Sequence, residues 1–145
     1  VSLLSAAAPG DGEVPAGLAL TTVAVQALGD AGITAPLWCV TRAAVAVDGT
    51  EIPNPDQAAV WGLGRVAALE QPATWGGLID LPARLDAVTA QRLGGVLAGD
   101  GEDQVAVRAA GAFARRLAHA APGASRPYSP RGTVLITGGT GGIAG

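Results

Sequence analysis

Short β-rich runs alternate with longer segments of helical spacing along this chain, and that alternation leaves few folds open. It is the pattern of a parallel sheet joined by crossover helices, so the expected class is α/β. The first helix is expected over residues 18–31, where Leu18, Val25, Leu28 and Ala31 recur on one face and Gly32 stops the pattern. The second has the clearest start signal. Asn54 can cap, Pro55 suits the first helical position and Gln57 completes a spacing like a capping box, for a helix reaching about Leu69. A third runs from its cap at Asp86 through Arg92 to about Leu97.

Strands are expected at 1–5, at 37–40 and 43–47, and at 76–82, where Gly76, Gly77 and Pro82 bracket an apolar run. Val105 and Val107 alternate with polar or small residues over 104–109. After Gly111 the stretch 112–118 can return as a second strand, giving a hairpin near a sheet edge. Prolines and glycines crowd residues 121–132 and read as a linker. The sequence starts directly in an apolar stretch at Val1 and stops at Gly145 inside a glycine-rich one, so both ends read as cuts.

Composition removes several function classes. Of 145 residues 49% are hydrophobic and 14% charged, enough apolar material for a core. The net charge of -3 and the scattered arginines give no footprint for nucleic acid. No apolar run is long enough to span a bilayer and no basic segment precedes an apolar one at the start, so a cytoplasmic location is expected. Cys39, the single cysteine, is expected to be a small buried apolar residue, and no metal site is expected around the lone His119. Asp100, Glu102 and Asp103 sit among glycines and read as a solvated turn. Trp38, Trp61 and Trp75 are expected to anchor cores or contacts between subdomains.

The stretch that carries chemistry comes last. Thr133-Val134-Leu135-Ile136 is fit for a buried parallel strand, and Thr137, Gly138, Gly139, Thr140, Gly141, Gly142 and Ile143 follow it as a cofactor-binding candidate. A backbone that turns tightly and approaches a pyrophosphate needs glycine, with amide groups aimed at the phosphates from a helix N-terminus. Gly139, Gly141 and Ala144 fit one dinucleotide frame, and Thr137, Gly138 and Gly142 fit the opening of the short-chain dehydrogenase frame, with Ala144 in place of its last glycine. A flexible glycine linker is the alternative.

Five blocks, taken together, resemble the ketoreductase domains of modular type I polyketide synthases: 36–42 around Trp38, 60–70 around Trp61, 75–82 around Asp80, 102–108 around Val105, and 132–143. The resemblance implies a multifunctional synthase whose ketoreductase has two parts. Residues 1–124 would form most of a structural subdomain, a shortened Rossmann-like fold without cofactor; 125–131 would be a linker and 132–145 the first strand and loop of the NADP-binding catalytic subdomain. It implies NADPH as cofactor. As partners it implies the catalytic subdomain and an acyl carrier protein bearing a β-ketoacyl substrate.

The family's catalytic Ser, Tyr and Lys cannot be carried onto this chain. It has no lysine, and its one tyrosine, Tyr128, lies in the linker, so no catalytic residue is assigned and the chain alone is expected to be inactive. Arg65 and the pair Arg115-Arg116 are expected to bridge the two subdomains through carboxylates. Two other readings stay open. One is a non-catalytic α/β scaffold or docking module; the other is a free-standing short-chain dehydrogenase, whose cofactor loop would be expected near the N-terminus.

Overall fold

The structure is a computed structural model that describes residues 1–6, 13–99, 101–121, 123, 129–135 and 137. Its sheet has four strands in spatial order: β1 (Leu37–Arg42), β2 (Trp75–Leu81), β3 (Gln104–Arg108) and β4 (Gly111–Ala114). The first three are parallel, and β4 folds back antiparallel on β3, as the hairpin pattern predicts. The helices are α1 (Ala16–Asp30), α2 (Pro55–Glu70) and α3 (Ala87–Ala98). The α/β, Rossmann-like class is therefore the one observed.

Strand alternation divides the core between the two faces of the sheet. Val40 lies beside Ile79 in the parallel register and Cys39 beside Leu78, so each pair faces its own side. On one side Val40, Ile79, Leu81, Val105 and Val107 pack with Val96, Leu93 and Leu97 of α3. On the other, Cys39, Leu78 and Ala44 pack with Trp61 of α2. Strands covered on both faces read as continuous apolar runs, which is why β2 is buried without a break from Gly77 to Leu81. Burying each of these branched aliphatic side chains contributes about 1.5–3 kcal/mol.

Two glycines in β2 are required by close approach. A side chain at Gly76 would run into the Trp38 indole, and a Cβ on Gly77, where φ is 154°, would lie 2.5 Å from the Asp103 carbonyl. That carbonyl accepts the Leu78 amide at 2.8 Å, so it cannot move away without opening the β2–β3 junction.

Four expectations differ from the structure. Residues 43–47 form no strand: Ala43 adopts a left-handed φ of 50°, and the next amides are taken by a side chain from β2. The opening apolar stretch gives only one parallel bridge, Ser2 to Cys39, and then tightens into a 3-10 turn at Leu4–Ala6. Asn54 does cap α2, accepting from Asp56 N and Gln57 N, but Gln57 does not close a capping box. Its side chain instead donates to Ser5 O at 2.5 Å and accepts Arg42 N at 3.1 Å, tying α2 to the first turn and to β1. Finally, residues 133–135 carry no regular structure, and Leu135 is 88% exposed. A parallel strand needs a neighbour to satisfy its backbone, and none of the four strands pairs with this segment.

Candidate functional site

In open parallel sheets the ligand crevice lies beyond the carboxyl ends of the strands. Here those ends carry Thr41 on β1, Asp80 on β2 and Arg108 on β3. Asp80 has no solvent exposure. Its Oδ1 accepts from Thr41 Oγ1 at 2.8 Å and from Ala44 N at 2.7 Å, and its Oδ2 accepts from Val45 N at 3.4 Å and from Arg108 Nη2 at 2.8 Å. Trp61 closes the cluster from α2 by donating Nε1 to Thr41 Oγ1 at 2.9 Å.

Arg108 is equally saturated. Its Nε meets Glu51 Oε1 at 2.7 Å, and its other donors reach the carbonyls of Val45 at 2.9 Å and of Asp80 at 3.1 Å. Burial alone would lower its pKa, but the hydrogen bonds and charges of Glu51 and Asp80 outweigh that and hold it above its ordinary value. The Arg108 hydrogen bond likewise holds the Glu51 carboxyl below the usual range. A carboxylate with this many donors and a guanidinium with this many acceptors have no lone pair or proton left for a substrate. The cluster locks the 43–51 loop across the strand ends. It is a brace rather than a reaction centre.

Beside the brace lies an open cleft of about 500 Å³. Val45, Trp61, Ala106, Phe113 and Ala114 contribute apolar surface to it, and Arg65, Arg115 and Arg116 are among its polar lining. Arg116 pairs with Glu102, donating Nη1 to Oε2 at 2.9 Å, and that pairing raises its pKa and lowers that of Glu102. Among the described residues Arg115 Nη1 donates to Gln104 Oε1, at 3.4 Å. Arg65 is exposed on α2. The three arginines expected to bridge subdomains are thus brought to a single cleft although fifty residues separate the first from the others.

The remaining candidates fall as follows. Thr137 is exposed in a turn, while Gly138, Gly139, Thr140, Gly141, Gly142 and Ile143 lie outside the described residues, as do Asp100 and Tyr128. Cys39 is buried, as expected, and burial pushes its thiol up to about 11, away from nucleophile chemistry. His119 is exposed, and no group of metal-ligating side chains occurs among the described residues. Glu102 is not simply solvated: it is the partner of Arg116. Trp61 is core, and Trp38 and Trp75 pack half-buried against the two clusters, one on each face of the sheet. Sequence reasoning missed the Asp80–Arg108–Glu51 brace. Its signal was present, since a charged residue inside Leu78-Ile79-Asp80-Leu81 has to find a partner once that run is buried.

Fold and site together define a Rossmann-like α/β unit whose strand-end crevice is filled by its own side chains. Residues 3–117 match the family described as the Rossmann fold domain of polyketide synthase extender module SpnB. The chain belongs to that family, and its matched residues correspond to the N-terminal structural subdomain of a polyketide synthase ketoreductase. It is 57% identical to polyketide synthase GfsA of Streptomyces halstedii over 155 residues, covering 100% of this chain and 2% of that protein. It is 56% identical to the pikromycin polyketide synthase component PikAIII of Streptomyces venezuelae, covering 82% of this chain and 8% of that one. A solved structure of A-type ketoreductases from a modular polyketide synthase superposes with a TM-score of 0.78 at 58% identity, over 83% of this chain and 26% of the other. A C2-type ketoreductase gives 0.77 at 52%, over 87% and 29%. The chain thus spans a few per cent of the curated relatives and about a quarter of the solved ketoreductases.

Proposed function

We propose that this chain is the supporting part of a ketoreductase that uses NADPH to reduce the β-keto group of a polyketide intermediate carried on acyl carrier protein. In this reading hydride passes from the nicotinamide to the keto carbon within the catalytic subdomain, and that subdomain supplies the proton donor. Residues 1–124 supply structure, 125–131 connect, and residues 132–145 begin the cofactor-binding part. There, Thr137 and the glycine-rich residues 138–143 would offer backbone amides to the cofactor phosphates. The synthase would work in the cytoplasm; no helix among the described residues is long and apolar enough to cross a membrane.

The observation that carries this reading is the saturated brace at the strand ends. A sheet whose crevice is occupied by Asp80, Arg108 and Glu51 has no place for a nucleotide, which fits a supporting role beside a second, cofactor-binding unit. The test follows NADPH oxidation with a β-ketoacyl thioester, by this chain and by a ketoreductase domain carrying it. Turnover only in the longer protein is expected. If the longer protein neither binds NADPH nor turns over, the non-catalytic scaffold is the better account.

A further inference from the structure

We infer that residues 46–51 form a strap held down by one releasable fastening, the Glu51–Arg108 pair, and hinged on a base that stays closed when that pair opens. The base is fixed at both ends. Asn54 N donates to Ala43 O at 2.7 Å, which joins the ends of the 43–54 loop, and the Asn54 side chain caps α2. Ala44 N and Val45 N donate to the Asp80 carboxylate, and Val45 O accepts Arg108 Nη2 at 2.9 Å. A loop whose ends are joined can lift its middle without disturbing the elements on either side.

Beyond Val45 the attachment rests on Glu51. Its Oε1 accepts Arg108 Nε at 2.7 Å, and its Oε2 accepts Arg108 Nη2 at 3.1 Å and Val47 N at 2.9 Å. Among the described residues no other hydrogen bond joins 46–50 to the sheet. The strap carries its own stiffener, since Asp48 Oδ1 accepts Thr50 N at 2.8 Å and Thr50 Oγ1 at 2.6 Å, and those bonds survive lifting. Exposure decides which fastening yields. Asp80 is fully buried, whereas the Glu51 side chain is 31% exposed, so water can take its place. When Glu51 leaves, Arg108 keeps Asp80 Oδ2 and the carbonyls of Val45, Asp80 and Val107, and no buried charge is stranded. Opening at Asp80 would strand one. Val45, Ala46 and Val47 line the cleft together with the buried Trp61, so a lifted strap widens the cleft and bares that indole. The Glu51–Arg108 pair is a latch on the width of the cleft.

The test follows backbone amide exchange residue by residue in a ketoreductase domain carrying this sequence, each rate corrected for its intrinsic value. In the wild-type domain Val47 is expected to exchange about tenfold or more faster than Ala44 and Val45, because it opens with the strap while they open with the base. Glu51→Ala should speed Val47 by about tenfold again and leave Ala44, Val45 and the strand amide of Leu78 near their wild-type rates. Hydroxyl-radical labelling, read at Trp61 by mass spectrometry, should rise severalfold in the same variant. Should Glu51→Ala fail to fold, the wild-type rates still decide. Exchange of Ala44, Val45 and Val47 at one common rate would mean that the loop opens in one piece, and that overturns the proposal. So would a Val47 amide as protected as Leu78, or Trp61 labelling unchanged in a folded Glu51→Ala domain.

Discussion

Arg108 and Arg65 carry the same guanidinium toward the same side of the sheet, in opposite circumstances. Arg108 is nearly enclosed, with Glu51, Asp80 and three backbone carbonyls around it. Arg65 stands exposed on α2 in the lining of an open cleft. The first has been taken out of water and its partners must be fully in place, because a buried unpaired charge costs several kcal/mol. The second keeps its hydration and can wait for a partner at little cost. The brace is therefore where the fold is fixed, and the cleft is where it can meet something else.

The largest expected effect comes from breaking the brace. Asp80→Ala leaves Arg108 buried opposite a void and strips acceptors from Thr41 Oγ1, Ala44 N and Val45 N. A loss of about 3–5 kcal/mol is expected, read by urea unfolding of a ketoreductase domain carrying the substitution. A loss under about 1 kcal/mol would mean that the 43–51 loop is held by something other than Asp80.

Gly77→Ala tests the strand junction beneath the brace. The added Cβ would meet the Asp103 carbonyl at a backbone conformation that side chains rarely adopt, with an expected cost of about 1–3 kcal/mol by the same measurement. Asn54→Ala removes the acceptor for Asp56 N and Gln57 N at the start of α2 and should cost about 1 kcal/mol. Arg65→Ala should lie below both, since Arg65 is exposed on α2 and its removal costs no packing.

The smallest effect is the pH dependence. Hydrogen bonds hold Glu51, Asp48, Asp86 and Glu102 below their ordinary carboxylate values in the folded chain. A group depressed on folding stabilises above its unfolded pKa, near 4, and that contribution is lost as pH falls through the folded value. Tm should therefore be flat from neutral pH down to about 5 and fall below about 4. Added salt should weaken most the part owed to the Glu102–Arg116 pair, whose arginine is the more exposed.

The sequence made the α/β class, the three helices and the hairpin legible because each is written locally. Asn54 and Asp86 accept at the helix starts where capping residues were expected, and Val105 and Val107 alternate into a buried face. What stayed hidden depends on contacts between distant residues. A β-rich stretch at 43–47 reads as a strand until Asp80, more than thirty residues on, takes its amides. Gln57 reads as part of a capping box until Ser5 and Arg42 come within reach of its side chain. The cleft shows the same limit: Arg65 and Arg115-Arg116 could be singled out one by one, but only the fold puts them in one lining.

The central claim, that the proposed supporting part, residues 1–124, holds up a catalytic partner without taking part in the chemistry, is tested most directly by separating stability from turnover. A ketoreductase domain carrying Asp80→Ala should show a lowered Tm and faster heat inactivation. At low temperature, where it remains folded, it should keep the wild-type kcat and KM for NADPH and for a β-ketoacyl thioester. A fully folded variant with wild-type Tm and a collapsed kcat would contradict the account and move Asp80 from the brace into the reaction.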